Sequence, residues 1–238
     1  MAKTDEAFER LKADILNAAL LAGSPLVVAT LTERYGLGWT PLREALSRLE
    51  AEGLVVSERN RGYRVAPVSA SSIRDLQVGR QAAEEALLAR SIASGDAEWE
   101  GRIVAAHHAF ARTPVPGPGV GASAMAEWEL RHESFHDALL SAGASACLNR
   151  FQRQITEQLR RHHRHMLFDP TAHRELDTAA RTAFTELVRG TLGLAHHTRM
   201  MEATLDRDTA AAVALLREHI GFSLAIYAFL WPDDASSP

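Results

Sequence analysis

The 238-residue chain is long enough for one or two domains with a sizeable core, and its net charge of −4 argues against a protein that coats nucleic acid with its whole surface. One cysteine, Cys147, excludes an internal disulfide. The N-terminus lacks a signal-peptide pattern, and the longest apolar run of the first half, residues 25–29, is far too short to cross a bilayer. We therefore expect a cytoplasmic protein without a membrane partner.

The first part of the chain predicts two helices separated by turns. Apolar residues three or four apart mark an amphipathic helix over residues 5–21, which Gly23, Ser24 and Pro25 end. A short helix is expected over residues 29–35, followed by a tight glycine turn at residues 36–38. This order already suggests a compact helical domain at the N-terminus.

A third helix and a hairpin follow. Thr40 is predicted as the N-cap and Pro41 as the first helical residue, so two local preferences agree on the start. Two β-rich stretches, residues 54–57 and 63–66, flank a bend at residues 60–62. Three helices followed by a hairpin predict a winged helix-turn-helix.

The basic residues concentrate in this segment. From Arg34 to Arg64 there are six arginines and four glutamates, a local balance of +2 in an acidic chain. In a helix-turn-helix the second helix enters the major groove with its N-terminal residues, and a wing reaches a neighbouring groove or phosphate. The candidate DNA-binding residues are Trp39, Thr40, Pro41, Arg43, Ser47 and Arg48 on the helix and Arg59, Arg61 and Gly62 on the wing.

Several roles stay open within that set. The arginines also fit an ordinary solvated face, and Arg43 is suited either to a bidentate contact with guanine or to a phosphate. Trp39 either stacks on a sugar or packs under its helix, and we favour packing.

From residue 71 onward the pattern is helical, interrupted at residues 113–123 by a stretch rich in proline and glycine. About six helices are expected there. The fold class is therefore mainly α, with a winged helix-turn-helix and a helical bundle. The predicted boundaries are residues 1–68 for the DNA-binding domain, 69–72 for a linker, 73–232 for the helical domain and 233–238 for a disordered tail.

Histidines dominate the chemistry of the second half. His132 and His136 are four residues apart on a predicted helix, so both imidazoles face one side and can share a cation. With Glu133 they also fit the H-E-x-x-H pattern, in which the glutamate is the general base of a zinc hydrolase. Hydrogen-bonded or surface roles are the default for the other histidines, including His196.

The stretch TPLREALSRLEAEGLV, with RGYRVAPVS downstream, resembles the GntR family of transcription regulators. The second half resembles the FCD ligand-binding domain of the FadR subfamily, a bundle of six or seven helices that often holds a divalent metal. The segments that carry this resemblance are residues 76–84, 135–139, 197–208 and 217–219. Within the FadR subfamily, the chain resembles the branch of the carbon-starvation-induced repressor.

The resemblance implies a site and a mode of action. The metal ligands would be His136, His197 and His219, with His132 where the family usually has aspartate, and His196 as a substitute for His197. Four imidazoles suit Zn or Ni better than harder cations. Arg80 and, second, Arg161 would bind the effector, a small carboxylate or dicarboxylate.

As a member of the family, the chain is expected to be a repressor that binds a palindromic double-stranded operator as a homodimer. Many relatives carry Ser-Arg before the Thr-Pro, whereas this chain has Gly38 and Trp39, so its base contacts differ. The alternatives are the metal-dependent hydrolase that uses Glu133 and a DNA-binding dimer that responds to no ligand.

Overall fold

A computed structural model describes residues 2–58, 62–115, 122–168 and 172–235. Two compact units are present. The first comprises Met1–Ser69 and Thr156–His165, and the second comprises Ala70–Ile155 and Met166–Pro238. Residues 70–72, which we predicted as linker, already belong to the first helix of the second unit.

The first unit is a winged helix-turn-helix, as predicted. Its helices are α1 (Lys3–Leu16), α2 (Val28–Tyr35) and α3 (Trp39–Ala51), and its strands are β1 (Pro25–Leu26), β2 (Val55–Glu58) and β3 (Gly62–Val65). The strands form an antiparallel sheet in the order β1-β3-β2. Strand β1 was not predicted, because two residues are too few to show an alternating pattern.

The apolar stripes of α1 and α3 build the core of this unit. Leu11 and Ile15 from α1 and Leu42, Leu46 and Leu49 from α3 are almost completely buried. Their spacing of three, four and seven residues places them on one face of each helix. The opposite face of α3 is consequently exposed.

Two local predictions in this unit, the end of α1 and the start of α3, were wrong. Helix α1 ends at Leu16, because the chain turns away at Ala18, whose φ of 57° lies in the left-handed region. Thr40 is not the N-cap of α3: Gly38 takes that position without a side-chain hydrogen bond, and Trp39 is already helical. The glycine turn was correctly predicted, since Gly36 ends α2 with a φ of 67°.

The second unit is all-helical. Helix α7 runs from this unit into the segment that clusters with the first one, and it continues as a π-helical turn, Arg164–Phe168. The helices are α4 (Ala70–Ser94), α5 (Ala97–Ala111), α6 (Ala122–Leu140), α7 (Ala146–His163), α8 (Thr178–Leu192), α9 (Leu194–Leu205), α10 (Thr209–Leu230) and α11 (Pro232–Ala235).

Within the described ranges this part of the chain has eight helices rather than six or seven. Gly193 separates α8 from α9, which follow one another directly. Residues 233–235, predicted as part of a disordered tail, form a helical turn in which Asp234 accepts hydrogen bonds from the Tyr227 hydroxyl and the Ala70 amide. The remaining tail residues, 236–238, lie outside the described residues.

The core of the second unit is formed where α4, α5, α6, α9 and α10 meet, with Leu87, Trp99, Ile103, Phe135 and Ile220 buried. By length and apolar composition alone α10 would also satisfy the criteria for a membrane span. One such helix is weak evidence, because the core helix of a soluble domain meets the same criteria.

Candidate functional site

The exposed face of α3 carries the polar residues expected there. Thr40, Arg43 and Ser47 are all exposed and lie three or four residues apart, while Pro41 is partly buried. Their side chains therefore share the helix face opposite the core. A face of this composition suits contacts with phosphates and base edges.

The neighbouring candidates behave differently. Trp39 is 57% exposed, so the interpretation that it packs under α3 was wrong. Arg48 stacks on the Phe8 ring, 4.1 Å from its centroid, and forms an ion pair of 3.0 Å with Asp5, so it is engaged with α1.

The wing is only partly described. Gly62 is exposed and begins β3 with a φ of 83°, which a side chain would strain. Arg59 and Arg61 lie outside the described residues. Their proposed contacts therefore stay predictions.

Four buried histidines meet inside the second unit. His132 and His136 lie one turn apart on α6, His197 comes from α9 and His219 from α10. One ring nitrogen of each lies within 4.8 Å of the corresponding nitrogen of every other. The structure thus brings together all four sequence-predicted ligands, which we call the histidine cluster.

Hydrogen bonding orients the cluster for cation binding. His197 Nδ1 lies 2.8 Å from the Gly193 carbonyl oxygen and must donate to it, which leaves Nε2 with the lone pair. His197 Nε2 and His219 Nδ1 are buried nitrogens without a hydrogen-bond partner. Burying such an atom costs free energy unless something binds it, so a divalent cation fits these residues.

Electrostatics favour the neutral form of His197 and His219, which is the form that binds a metal. Burial lowers the pKa of His197 to about 4. Burial also lowers the pKa of His219 well below its usual value, with further contributions from the other three cluster histidines and Arg80. His197 and His219 are therefore neutral at pH 7 and have lone pairs to offer.

His196 was the alternative to His197, and the structure excludes it from the cluster. Its Nε2 donates to the Leu215 carbonyl oxygen at 3.1 Å, and its Nδ1 accepts from Arg199 at 3.1 Å. Both ring nitrogens are thereby occupied. The imidazole nevertheless stacks on His219, with ring centroids 5.6 Å apart.

Sequence reasoning missed the aromatic wall of the cluster. Trp128 stacks on His132 with ring centroids 4.9 Å apart, and Phe110 meets His197 edge to face at 4.9 Å. The spacing of four residues between Trp128 and His132 was a local signal that could have been read. Phe110 could not have been found this way, because it comes from a different helix, α5.

The two candidate effector arginines lie in different units. Arg80 is buried on α4, and its Nε and one Nη each donate to the Glu84 carboxylate at 3.0 Å. Its charge helps to lower the pKa of His219, which places it near the cluster. Arg161 instead clusters with the first unit and donates to the Ala66 carbonyl oxygen.

Residues 3–65 match the family described as "Bacterial regulatory proteins, gntR family", and residues 75–222 match the FCD domain. The chain belongs to the GntR family. It is therefore a transcription regulator of the helix-turn-helix class and not an enzyme, so the hydrolase hypothesis for Glu133 was wrong.

Two curated relatives support this membership. The "Uncharacterized HTH-type transcriptional regulator BphR" of Paraburkholderia xenovorans (strain LB400) is 33% identical over 219 residues, covering 92% of this chain and 82% of the relative. The "HTH-type transcriptional repressor GlaR" of Escherichia coli (strain K12) is 32% identical over 222 residues, covering 90% of this chain and 91% of the relative.

Solved structures share the fold of this GntR protein. E. coli McbR/YncC superposes with a TM-score of 0.67 at 15% identity and covers 95% of this chain and 98% of its own. A putative GntR regulator from Rhodococcus sp. RHA1 gives a TM-score of 0.66 at 21% identity, with 97% and 98% covered. At these identities the likeness concerns the fold alone.

Proposed function

We propose that this GntR regulator is a repressor that binds a palindromic operator as a homodimer. Its helical domain binds a divalent metal through the histidine cluster and, beside it, a small carboxylate or dicarboxylate effector. The observation that carries this proposal is the convergence of four buried imidazoles within 4.8 Å, two of them with nitrogens that lack a hydrogen-bond partner.

The donor set indicates which metal is bound. Imidazole nitrogen suits Zn and Ni, whereas harder cations prefer carboxylate and water oxygens. His132 supplies a neutral nitrogen where the resemblance implies an aspartate, so the set carries one negative charge less. Zn or Ni is accordingly the proposed ion, and when bound it supplies a positive charge that a carboxylate can coordinate.

Arg80 is the proposed second contact of the effector. Its guanidinium lies near the cluster, but Glu84 already occupies two of its donors. One carboxylate of a dicarboxylate would coordinate the ion. The other would accept hydrogen bonds from Arg80, either together with Glu84 or in its place. Arg161 is not proposed for this role, because its guanidinium is buried and donates hydrogen bonds to Ala66 and Gln158.

On the DNA side, α3 supplies Thr40, Arg43 and Ser47 to the major groove, and the wing supplies the neighbouring contacts. Arg43 is exposed one turn into the helix, where base edges are within reach. A good bidentate contact with guanine contributes about 1 to 3 kcal/mol of discrimination. The effector would weaken operator binding if it prefers the arrangement that does not fit DNA.

The experiment is a fluorescence-anisotropy titration with DNA fragments from the protein's own genomic neighbourhood. Arg43→Ala is expected to weaken operator binding by about fivefold to 150-fold, which corresponds to that 1 to 3 kcal/mol. Its circular dichroism should match the wild type, because the side chain contributes nothing to the core. Arg102→Ala is the matched control, since this exposed arginine lies on α5, and it should bind as the wild type does.

An unchanged operator affinity in Arg43→Ala would remove this residue from the interface. The ligand-independent dimer is tested separately by a thermal-shift screen of organic acids on metal-loaded protein. A specific ligand at 100 times its dissociation constant adds about 2.7 kcal/mol of stability. A screen without any stabilising acid would favour the dimer that responds to no ligand.

A further inference from the structure

A cavity of about 380 Å³ lies in the second unit. It is formed by the end of α5, the π-helical turn, α8 and the start of α9. Neither a cluster histidine nor Arg80 lines it. Its main walls are the side chains of Phe110, Leu167, Phe184, Val188 and Leu194.

The buried side chains of the walls are apolar. Phe110, Leu167, Phe184 and Val188 are each at most 6% exposed. The hydroxyls of the two lining threonines are already used, since Thr113 donates to Ala109 and Thr185 donates to Arg181. An apolar cavity of roughly 150 Å³ in another protein is large enough to bind benzene, so this one accepts an aromatic ring with room for a substituent.

One cationic group lines the cavity among the described residues, and it is Arg189. Its side chain is 64% exposed and pairs with Glu186, which is 61% exposed. Exposed ion pairs of this kind contribute about 0 to 1 kcal/mol, so a carboxylate that arrives with its ring already buried can replace Glu186. The cavity thus combines an apolar interior with a guanidinium that an anion can reach.

We propose that this cavity is a second small-molecule site and that it takes an aromatic monocarboxylate. The ring lies among Phe110, Phe184 and Val188, and the carboxylate pairs with Arg189. This site goes beyond the proposed metal-bound effector and does not depend on it.

The cavity and the histidine cluster share a wall. Phe110 touches the His197 ring, and the backbone of Gly193, which lines the cavity, accepts the hydrogen bond from His197 Nδ1. A ligand in this cavity would therefore contact two residues that also contact His197, Phe110 and Gly193. Binding at the two sites should consequently be coupled in one direction or the other.

Isothermal titration of the full-length protein with benzoate tests the proposal, with acetate as the control that carries the carboxylate without the ring. Benzoate is expected to bind saturably, and acetate is not expected to occupy this site. Val188→Phe and Leu194→Trp fill the cavity from two sides and should each weaken benzoate binding by about tenfold or more, equivalent to 1.4 kcal/mol. Leu194 is 37% exposed, so its variant keeps the test valid if Val188→Phe fails to fold.

Arg189→Gln should weaken benzoate binding while leaving the cavity open, whereas Glu186→Gln, which removes the competing carboxylate, should retain or strengthen it. Saturable binding should also survive removal of metal with a chelator. The proposal is overturned if benzoate fails to saturate below about 10 mM, or if both cavity-filling variants bind like the wild type. Complete loss of saturable binding on chelation would likewise overturn it, because coupling between the two sites changes the affinity for benzoate without abolishing the cavity site.

Discussion

At the scale of single residues, two adjacent histidines show how hydrogen bonding assigns a role. His197 uses Nδ1 for the Gly193 carbonyl and keeps Nε2 for the cluster, whereas His196 uses both nitrogens elsewhere. The sequence could not separate them, because neighbouring positions differ only in the direction they face on α9. A rotation of about 100° per residue decides which imidazole becomes a ligand.

This pair gives a matched test of the metal site. His197→Ala should lose most bound zinc, because it removes one of four donors, while His196→Ala should retain about one zinc per chain. Zinc is measured by plasma mass spectrometry after dialysis against a weak chelator. Equal zinc content in the two variants would contradict the assignment of His197 as a ligand.

The buried pair of Arg80 and Glu84 gives a second prediction at this scale. Arg80→Met should destabilise the protein by about 3 to 5 kcal/mol, because it leaves the Glu84 carboxylate buried without its partner. The double variant with Glu84→Leu should recover much of that loss, since two apolar side chains can fill the same volume. Both variants should lose the effector response.

Urea unfolding measures these differences. Arg217→Met breaks an exposed pair with Glu85 and serves as the control, for which little change is expected. If the single variant Arg80→Met were as stable as the wild type, burial of the Glu84 carboxylate would not depend on its pairing with Arg80.

At the scale of secondary-structure elements, local signals located α2, α3 and the hairpin well. There glycine, proline and apolar spacing all agree on the same boundaries. The end of α1 was missed because the chain turns at Ala18, which adopts a left-handed backbone conformation, and the sequence has no glycine there to indicate a turn. Periodicity predicts α7 but does not show that its last turns, which carry Arg161, cluster with the first unit.

In the candidate site, too, some features follow from local sequence and others depend on tertiary packing. The pairing of His132 with His136 is a local property of α6 and followed from spacing alone. His197 and His219 lie on other helices, and their meeting is a result of tertiary packing that only a family resemblance could supply. Trp128 could have been found from its spacing to His132, whereas Phe110 and the apolar cavity depend on tertiary packing and could not be predicted in either way.

Helix α10 carries His219, and its start depends on Asp208, whose carboxylate accepts the Ala211 amide at 2.9 Å. Asp208→Ala should cost about 1 kcal/mol of stability by removing this cap, whereas Asp208→Ser should cost less, because serine also caps helices. The midpoint of urea unfolding provides the measurement. Identical losses in the two variants would show that capping is not what Asp208 contributes.

At the scale of the whole molecule, a DNA-binding unit and a helical unit are combined in one GntR chain. Regulation requires that effector binding and operator binding change each other's free energy, and this coupling must be reciprocal. An effector that lowers operator affinity tenfold must itself bind tenfold more weakly to the operator complex. Neither unit by itself can show this property.

The most direct test is therefore an operator titration of zinc-loaded protein, with and without a carboxylate that raises its melting temperature. The wild type should lose operator affinity as that carboxylate is added, and His197→Ala should bind operator with no response to it. An operator affinity that stays the same in both proteins at every carboxylate concentration would contradict control of DNA binding by the histidine cluster.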